Sequence, residues 1–281
     1  MNFFQKLFGS KEETPEEERE KEKEKNFDVL KYDGVRALRT GQFQYAIKCF
    51  QNALEIDDDL EIHDYLSRAY IYNNELLPAY KELEILAKAE PDNQDILIRM
   101  ANVAYMTEDY DTMADVCEKA MKLSTDNPLV YYFYARAKRG QGDYVNALAM
   151  VTKAIELDDG RFDFHLLRGE ILLDMDDTEG ADKEADWLLK HDANEEDALL
   201  FKARVEKKKG DNKLAIHYYN KLNDVNPFRI EAYRERGALR LAIGDKEGAE
   251  EDGQKLLELN PQEEAEAEKL EKENKGEAKE E

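Results

Sequence analysis

The chain has 281 residues, with 65 acidic against 41 basic side chains and a formal net charge of −24. This charge argues against the DNA or RNA phosphate backbone as the main partner, because such binding needs clustered lysine and arginine side chains. The two cysteines, Cys49 and Cys117, are expected to be buried thiols in a reducing compartment, without a disulfide.

The chain begins with a Phe-rich segment. Its opening residues, MNFFQKLFGS, would place Phe3, Phe4, Leu7 and Phe8 on one face of a short helix. This face is a candidate anchor in a groove of another protein or on a membrane surface. The membrane is the weaker choice, because so short a segment buries little area and its neighbour is acidic. Packing on the chain's own first repeat, or no fixed structure, is the alternative interpretation.

A charged helix is predicted to follow this segment. Thr14, Pro15 and Glu17 form a helix-start pattern, in which the threonine caps the helix, the proline opens its first turn and the glutamate reaches back to the cap. The following run of glutamate and lysine should continue toward Asn26, and a junction with the first repeat helix is one of its possible ends. Residues 1–26 are therefore predicted to form an amphipathic segment and a charged helix or linker.

A small residue recurs every 34 positions through most of the chain, at Ala101, Ala135, Gly169, Ala203 and Gly237. Two further columns, rich in alanine and leucine, follow it at fixed distances. A period of this length is typical of a solenoid, whose units bury their apolar faces by stacking on their neighbours. The predicted units are residues 27–59, 60–93, 94–127, 128–161, 162–195, 196–229 and 230–261.

Each unit has the pattern of two antiparallel helices. Apolar residues recur at helical spacing on both sides of a short turn, and no segment shows the two-residue alternation of a strand. The predicted turns are Gly41-Gln42, Asn74-Glu75, Glu108-Asp109, Gly142-Asp143, Asp176-Asp177, Gly210-Asp211 and Gly244-Asp245. The sequence therefore predicts an all-α fold. After the last unit, residues 262–281 are predicted to form a capping helix and an acidic tail.

These features resemble the tetratricopeptide repeat (TPR) family, over about residues 27–261. Units of that family have small residues where their two helices cross, a Gly-Asp-like turn, and often a proline after the second helix. Pro91, Pro227 and Pro261 stand at that last place here. The resemblance implies a right-handed superhelical solenoid of antiparallel helix pairs, with a concave groove lined by the first helices of successive units.

In the family, residues around the small one of each first helix point into the groove. Carried onto this sequence, that register implies a partner-binding groove of Lys31, Tyr32, Arg39, Tyr65, Arg68, Tyr72, Arg99, Asn102, Tyr105, Tyr132, Phe133, Arg136, Arg139 and Arg204. Arginine forks pair with carboxylates, and tyrosine rings supply contact area. We therefore expect a protein or peptide ligand with acidic and apolar residues, held mainly by the first four units.

Two alternatives bear on this groove. The same side chains are able to form ion pairs within the chain, with acidic residues of the preceding turns: Asp28, Glu61 and Asp95. A subset of the family clamps the C-terminal carboxylate of heat-shock chaperones, and Lys31 and Arg99 match its pattern. Val35 and Tyr65 stand where that clamp needs asparagine, and Asp95 where it needs lysine, so this ligand is not favoured.

No motif for catalysis, metal binding or cofactor binding is recognisable. The histidines, His63, His165, His191 and His217, lack the paired spacing on one helix face that suits zinc. No stretch approaches the roughly twenty apolar residues of a membrane helix, and no secretory signal is evident, so the cytoplasm is the expected location. The predicted function is a non-enzymatic interaction scaffold or adaptor. The alternative is a membrane-peripheral organiser or assembly factor recruited through the Phe-rich segment.

Overall fold

The fold is helical throughout the part that the structure describes. A computed structural model describes residues 14–261, which form fourteen α-helices and no strand. In chain order the helices are α1 Pro15–Arg39, α2 Phe43–Leu54, α3 Leu60–Tyr72, α4 Leu76–Ala89, α5 Gln94–Met106, α6 Tyr110–Leu123, α7 Pro128–Gly140, α8 Tyr144–Leu157, α9 Phe162–Asp174, α10 Thr178–His191, α11 Glu196–Lys209, α12 Asn212–Val225, α13 Ile230–Ala242 and α14 Lys246–Leu259. The predicted all-α fold is confirmed.

The helices pack in consecutive pairs within two compact units, Met1–Gln141 and Gly142–Glu281, which we call unit 1 and unit 2. In unit 1, α1 packs against α2, α3 against α4 and α5 against α6, and α7 packs on α5 and α6. In unit 2, α8 packs on α9, and the pairs α9–α10, α11–α12 and α13–α14 follow. Each pair contacts the next one within its unit. The right-handed superhelical path and the domain boundaries stay predictions.

The first helix begins with the predicted capping arrangement. The Thr14 hydroxyl accepts a hydrogen bond from the Glu17 backbone N–H at 3.3 Å, and the Glu17 carboxylate accepts one from the Thr14 N–H at 2.7 Å. Pro15 occupies the first turn, where its missing N–H costs nothing. From there α1 continues without a break to Arg39. The charged run and the first repeat helix are therefore one element, as predicted.

Small residues lie where the helices approach most closely. A Cβ atom at Gly34 would stand 2.5 Å from the Phe50 ring, and one at Gly169 would stand 2.6 Å from the Phe201 ring. Both distances are too short for any side chain to fit without displacing the opposing ring. The recurring small residue is therefore required by the close packing of the helices.

One residue with a left-handed backbone lies in the turn of every predicted repeat. Four of the seven are glycines, and the other three carry side chains: Gly41 (φ 75°), Asn74 (59°), Glu108 (56°), Gly142 (75°), Asp176 (62°), Gly210 (85°) and Gly244 (87°). Glycine adopts this backbone without steric cost, whereas other residues do not. In five turns the next residue is an aspartate that caps the second helix: Asp109, Asp143, Asp177, Asp211 and Asp245. The predicted turns are confirmed.

Both cysteines are free thiols, and both are buried, as predicted. Burial raises the pKa of the Cys117 thiol to about 12, which keeps it protonated at neutral pH. Cys49 and Cys117 therefore act as small core residues.

Candidate functional site

The predicted groove residues lie almost entirely in unit 1. They lie on its first helices α1, α3, α5 and α7, whereas Arg204 lies on α11 of unit 2. The 34-residue period places Arg68, Asn102 and Arg136 in one register. The repeat thus brings basic and aromatic side chains to the same face of successive first helices.

A cavity of about 510 Å³ opens between α1 and α3. Arg39, Tyr65, Arg68 and Tyr72, all predicted, line it together with Val35, Leu38, Gly41 and Phe43. Two basic side chains therefore share one cavity with a largely aromatic and aliphatic wall. The sequence analysis did not predict the four residues Val35, Leu38, Gly41 and Phe43. Val35 occupies the same repeat position as Arg68, and Phe43 follows the first turn, so the repeat pattern contained a signal for both.

The aromatic wall of this cavity is held in place by neighbouring rings. The Tyr72 ring stacks on Phe43 with a centroid distance of 5.3 Å, and the Tyr65 ring stacks on Phe50 at 5.6 Å. The Tyr65 hydroxyl also donates to a Glu61 carboxylate oxygen at 2.8 Å. Rings fixed in this way offer contact area at a small cost in conformational entropy.

Among residues 14–261, no carboxylate is tightly bound to either arginine of the cavity. The acidic atom that lies near Arg68 there is Asp64 Oδ2, at 3.9 Å from Nη1, which is too long for a hydrogen bond. Arg39 forms no ion pair with any residue in the described range 14–261. Both guanidinium groups therefore keep donors for an incoming carboxylate or carbonyl oxygen.

A second group of predicted residues lies on α5 and α7. The Arg136 guanidinium carbon is 3.3 Å from the centroid of the Tyr105 ring, a cation–π contact that orients the arginine. Within residues 14–261 no carboxylate pairs with Arg136 and no hydrogen bond engages Asn102, which is half-buried. We call Arg39, Tyr65, Arg68, Tyr72, Asn102, Tyr105 and Arg136 the arginine–tyrosine face.

Two other predicted cations are occupied by acidic partners in unit 1. Lys31 Nζ lies 2.6 Å from Glu61 Oε2, and this hydrogen bond raises the pKa of Lys31 and lowers that of Glu61. Arg99 donates to the Asp64 carboxylate and to the Ser67 hydroxyl. Intramolecular pairing, the alternative given by the sequence, therefore describes these two residues. They are also the two that matched the chaperone clamp, which gains no support from their engaged side chains.

The remaining predicted residues on first helices differ in exposure. Tyr32 is 68% exposed on α1, whereas Phe133 on α7 is 9% exposed and belongs to the hydrophobic core of unit 1. Phe133 therefore offers almost no surface to a ligand, because its ring packs inward. Tyr132 and Arg139 lie half-buried on α7.

Arg204 of unit 2 is held by Glu235. Its Nε lies 3.0 and 3.1 Å from the two Glu235 oxygens, and the Tyr219 hydroxyl donates to the same carboxylate at 2.9 Å. Burial alone would raise the pKa of Glu235, but the bonds from Arg204 and its charge lower it. The donors of Arg204 are thus used inside the protein, and we leave it out of the arginine–tyrosine face.

Residues 14–261 contain no group of three or more His, Cys, Asp or Glu side chains placed to hold a metal ion. None of their helices combines the length and the apolar character needed to cross a membrane. The predicted anchor residues Phe3, Phe4, Leu7 and Phe8 lie outside the described range, so the anchor stays a prediction.

Helix pairs with a recurring small residue in the first helix and a left-handed residue in the turn define an all-α protein of repeated helical hairpins. A model of the tetratricopeptide repeat family matches residues 200–264. The fourteen described helices are consistent with about seven such repeats. A sequence search of curated proteins gave no match.

Solved structures share this fold at low sequence identity. A tetratricopeptide repeat protein from Parabacteroides merdae has a TM-score of 0.75 at 14% identity, over 84% of this chain and 94% of that one. PilW, described as a widely conserved type IV pilus biogenesis factor, has a TM-score of 0.65 at 17% identity, over 72% and 94%. A chain of the APC/C hetero-tetramer Cut9–Hcn1 has 0.64 at 14% identity, over 83% and 46%. These similarities show the fold alone.

Proposed function

We propose that the chain is an interaction scaffold whose arginine–tyrosine face binds a segment of a partner protein rich in carboxylate and apolar side chains. The observation that carries this proposal is the cavity between α1 and α3. There, Arg39 and Arg68 keep unused donors beside a wall of aromatic rings.

The cavity contains both kinds of contact that such a ligand needs. An arginine fork binds a carboxylate through two parallel hydrogen bonds, and these charge-assisted bonds are roughly twice as strong as neutral ones. Tyr65, Tyr72 and Phe43 line the same cavity and offer ring surface to an apolar side chain of the ligand. A ligand residue with a carboxylate next to an apolar residue would use both.

The second group extends the site along the peptide. Arg136 lies two repeats after Arg68 in the same register, and Asn102 stands between them. An unengaged asparagine side chain can donate to and accept from a peptide backbone, which carries one donor and one acceptor per residue. Arg136 would then meet a second acidic side chain of an extended ligand.

The family and its structural neighbours support this proposal in general terms. Tetratricopeptide repeat proteins are typically scaffolds for protein interactions. One similar fold belongs to the hetero-tetramer Cut9–Hcn1, which shows that this architecture takes part in a protein assembly there. The acidic surface elsewhere on the chain would disfavour acidic ligands away from a basic face, which favours specificity.

The proposal is tested by selecting peptides from a random library on the full chain. We expect sequences enriched in Asp and Glu together with Leu or Phe. The affinity of a selected peptide, measured by fluorescence anisotropy, should fall at least about 100-fold in the triple variant Arg39→Glu, Arg68→Glu, Arg136→Glu, because several charge-assisted contacts become repulsive.

A matched control separates this effect from overall charge. Lys48, Lys213 and Lys246 are exposed on second helices and pair with no acidic residue of the described range. Changing these three lysines to glutamate alters the net charge equally and should shift the affinity by no more than about threefold. Equal losses in the two triple variants, or unchanged binding in the arginine variant, would contradict the proposal.

A further inference from the structure

Unit 1 has a second cavity, of about 430 Å³, between the second helices α4 and α6. Leu97, Met100 and Val116 are buried and form its floor, and the exposed Lys88, Lys119 and Lys122 stand at its rim. We call this cavity the outer groove. None of its residues belongs to the arginine–tyrosine face.

Polar side chains close the equivalent position in other repeats. One repeat before Leu97 stands His63, whose Nδ1 lies 2.5 Å from Glu82 and whose Nε2 lies 2.8 Å from Asp58. Two repeats after it stands His165, whose Nδ1 lies 2.8 Å from Glu184. In both places a buried imidazole is hydrogen-bonded to a carboxylate on the second helix of the same repeat.

The residues at the repeat position of Met100 show the same contrast between an apolar side chain here and bridging polar side chains elsewhere. The equivalent cations of unit 2 each reach a carboxylate on a second helix: Arg168 Nε to Glu184 at 2.9 Å, Lys202 Nζ to Asp186 at 2.7 Å and Arg236 Nε to Asp252 at 3.1 Å. Leu97, Met100 and Val116 have no polar side-chain atom that could form such a bridge. The outer groove is therefore apolar and uncovered where these other repeats are bridged.

The rim of the groove is basic on a strongly acidic chain. Lys88, Lys119 and Lys122 form no ion pair or side-chain hydrogen bond within the part of the chain that the structure describes. One acidic residue, Glu84, lies among them. Three lysines against one glutamate leave a local charge of +2 around an apolar floor, which complements an acidic and apolar ligand.

We propose that the outer groove binds an amphipathic helix of a partner protein, with leucine-like side chains on the Met100 floor and carboxylates on the three lysines. The groove lies between two helices, and an amphipathic helix can lay its apolar face into such a depression. Its volume falls within the range of small-ligand cavities, so it accommodates only a few apolar side chains. This site is separate from the arginine–tyrosine face and does not depend on it.

The probe for the test is a labelled peptide of about 16 residues, with leucine at i, i+3, i+4 and i+7 and glutamate beside them. A scrambled peptide of the same composition is the control ligand. Binding to the full chain is followed by fluorescence anisotropy, and methyl NMR of labelled methionines locates it. Met100 reports on the outer groove, and the exposed Met106 on α5, which shares the register of Tyr72, reports on the arginine–tyrosine face.

We expect the Met100 methyl signal to shift with the patterned peptide and not with the scrambled one. Affinity measured through that signal should fall at least about tenfold in Lys88→Glu, Lys119→Glu, Lys122→Glu. The pair Met100→Arg, Val116→Glu copies Arg168 and Glu184, leaves the net charge unchanged, and should close the groove. The closing pair is combined with the variant Arg39→Glu, Arg68→Glu, Arg136→Glu, which removes binding at the other face. In this combination the affinity of the patterned peptide, measured by anisotropy, should fall by a similar factor.

The controls make the result decisive. The Lys48→Glu, Lys213→Glu, Lys246→Glu variant and the arginine variant should each retain the Met100 shift at an affinity within about threefold of the parent. Thermal unfolding confirms that each variant is folded, and the lysine variant still decides the outcome if the closing pair is not. A Met100 signal that does not move, equal binding of the scrambled peptide, or equal losses in both lysine variants would overturn the proposal.

Discussion

Arg68 and Arg136 of unit 1 and Arg204 of unit 2 occupy the same register of the repeat but serve different purposes. Arg204 is bound by both oxygens of Glu235, whereas neither arginine of unit 1 is hydrogen-bonded to a carboxylate in the described range. A repeat position therefore fixes where a side chain stands, and the neighbouring repeat decides whether its donors are used internally or stay available.

The reason for the difference lies one repeat further along the chain. Glu235 follows Arg204 by 31 positions, and the residue at the same distance from Arg68 is Arg99. A cation there cannot neutralise Arg68, and Arg99 instead bonds back to Asp64 and Ser67. One exchange of charge sign between neighbouring first helices thus turns an internal ion pair into an open basic site.

The largest expected effect comes from removing the paired arginine. Arg204→Ala leaves the half-buried Glu235 carboxylate without its cation and should lower the free energy of unfolding by about 1–3 kcal/mol, a range reduced because the Arg204 side chain is 40% exposed. Arg68→Ala should cost roughly 0.5 kcal/mol or less, as for an ordinary surface residue. Urea unfolding of both variants checks this, and equal costs would remove the distinction between the two units.

Unit 1 has its own buried polar cluster, at His63 away from the arginine–tyrosine face. Burial of the ring lowers the pKa of His63, but the hydrogen bonds that the imidazole donates to Asp58 and Glu82 outweigh it, so that the pKa lies above the ordinary 6.5. The folded state therefore binds the proton more tightly than the unfolded state. The resulting stability is complete below pH 6.5 and is lost as the pH rises through the raised pKa.

The variant His63→Leu tests this cluster, because Leu97 occupies the equivalent position one repeat later. The melting temperature of the parent should fall relative to that of His63→Leu between about pH 6 and about pH 9. Differential scanning calorimetry across that range measures the difference. A difference in melting temperature between parent and variant that stays constant across this pH range would show that protonation of His63 does not stabilise unit 1.

A smaller effect is expected in the turns, which are alike in the two units. Glu108 has a left-handed backbone with φ of 56°, and its side chain makes no hydrogen bond among residues 14–261. Glu108→Gly should raise the free energy of unfolding by about 0.5–1 kcal/mol. The relief of backbone strain exceeds the cost of the conformational entropy that glycine loses on folding. Gly210→Ala should lower it by a similar amount, because its added Cβ has open space and only the backbone is strained. Destabilisation by Glu108→Gly would contradict this account.

The repeat pattern was sufficient to predict the all-α fold and its turns. The small-residue column and the turn pairs are local signals, and close packing at Gly34 and the left-handed turns explain why both must recur. Arg39, Tyr65, Arg68 and Tyr72, which the same period assigned to the predicted groove, line one cavity.

The sequence could not separate engaged from unengaged side chains. Whether Arg204 meets Glu235, or Lys31 meets Glu61, depends on the distance and orientation of residues about one repeat apart. The repeat position of Phe133 matches that of Tyr65 and predicts a groove residue, but its ring packs into the core. No sequence motif marks the outer groove, because it is defined by side chains that do not bridge two helices.

Arginine side-chain NMR of the full chain, titrated with a peptide selected on it, tests the central claim most directly. The guanidinium signals of Arg39, Arg68 and Arg136 should shift together and saturate at the affinity measured by anisotropy, while those of Arg99 and Arg204 stay in place. Binding that shifts Arg204 and leaves Arg39 and Arg68 unchanged would contradict the assignment of the ligand to unit 1.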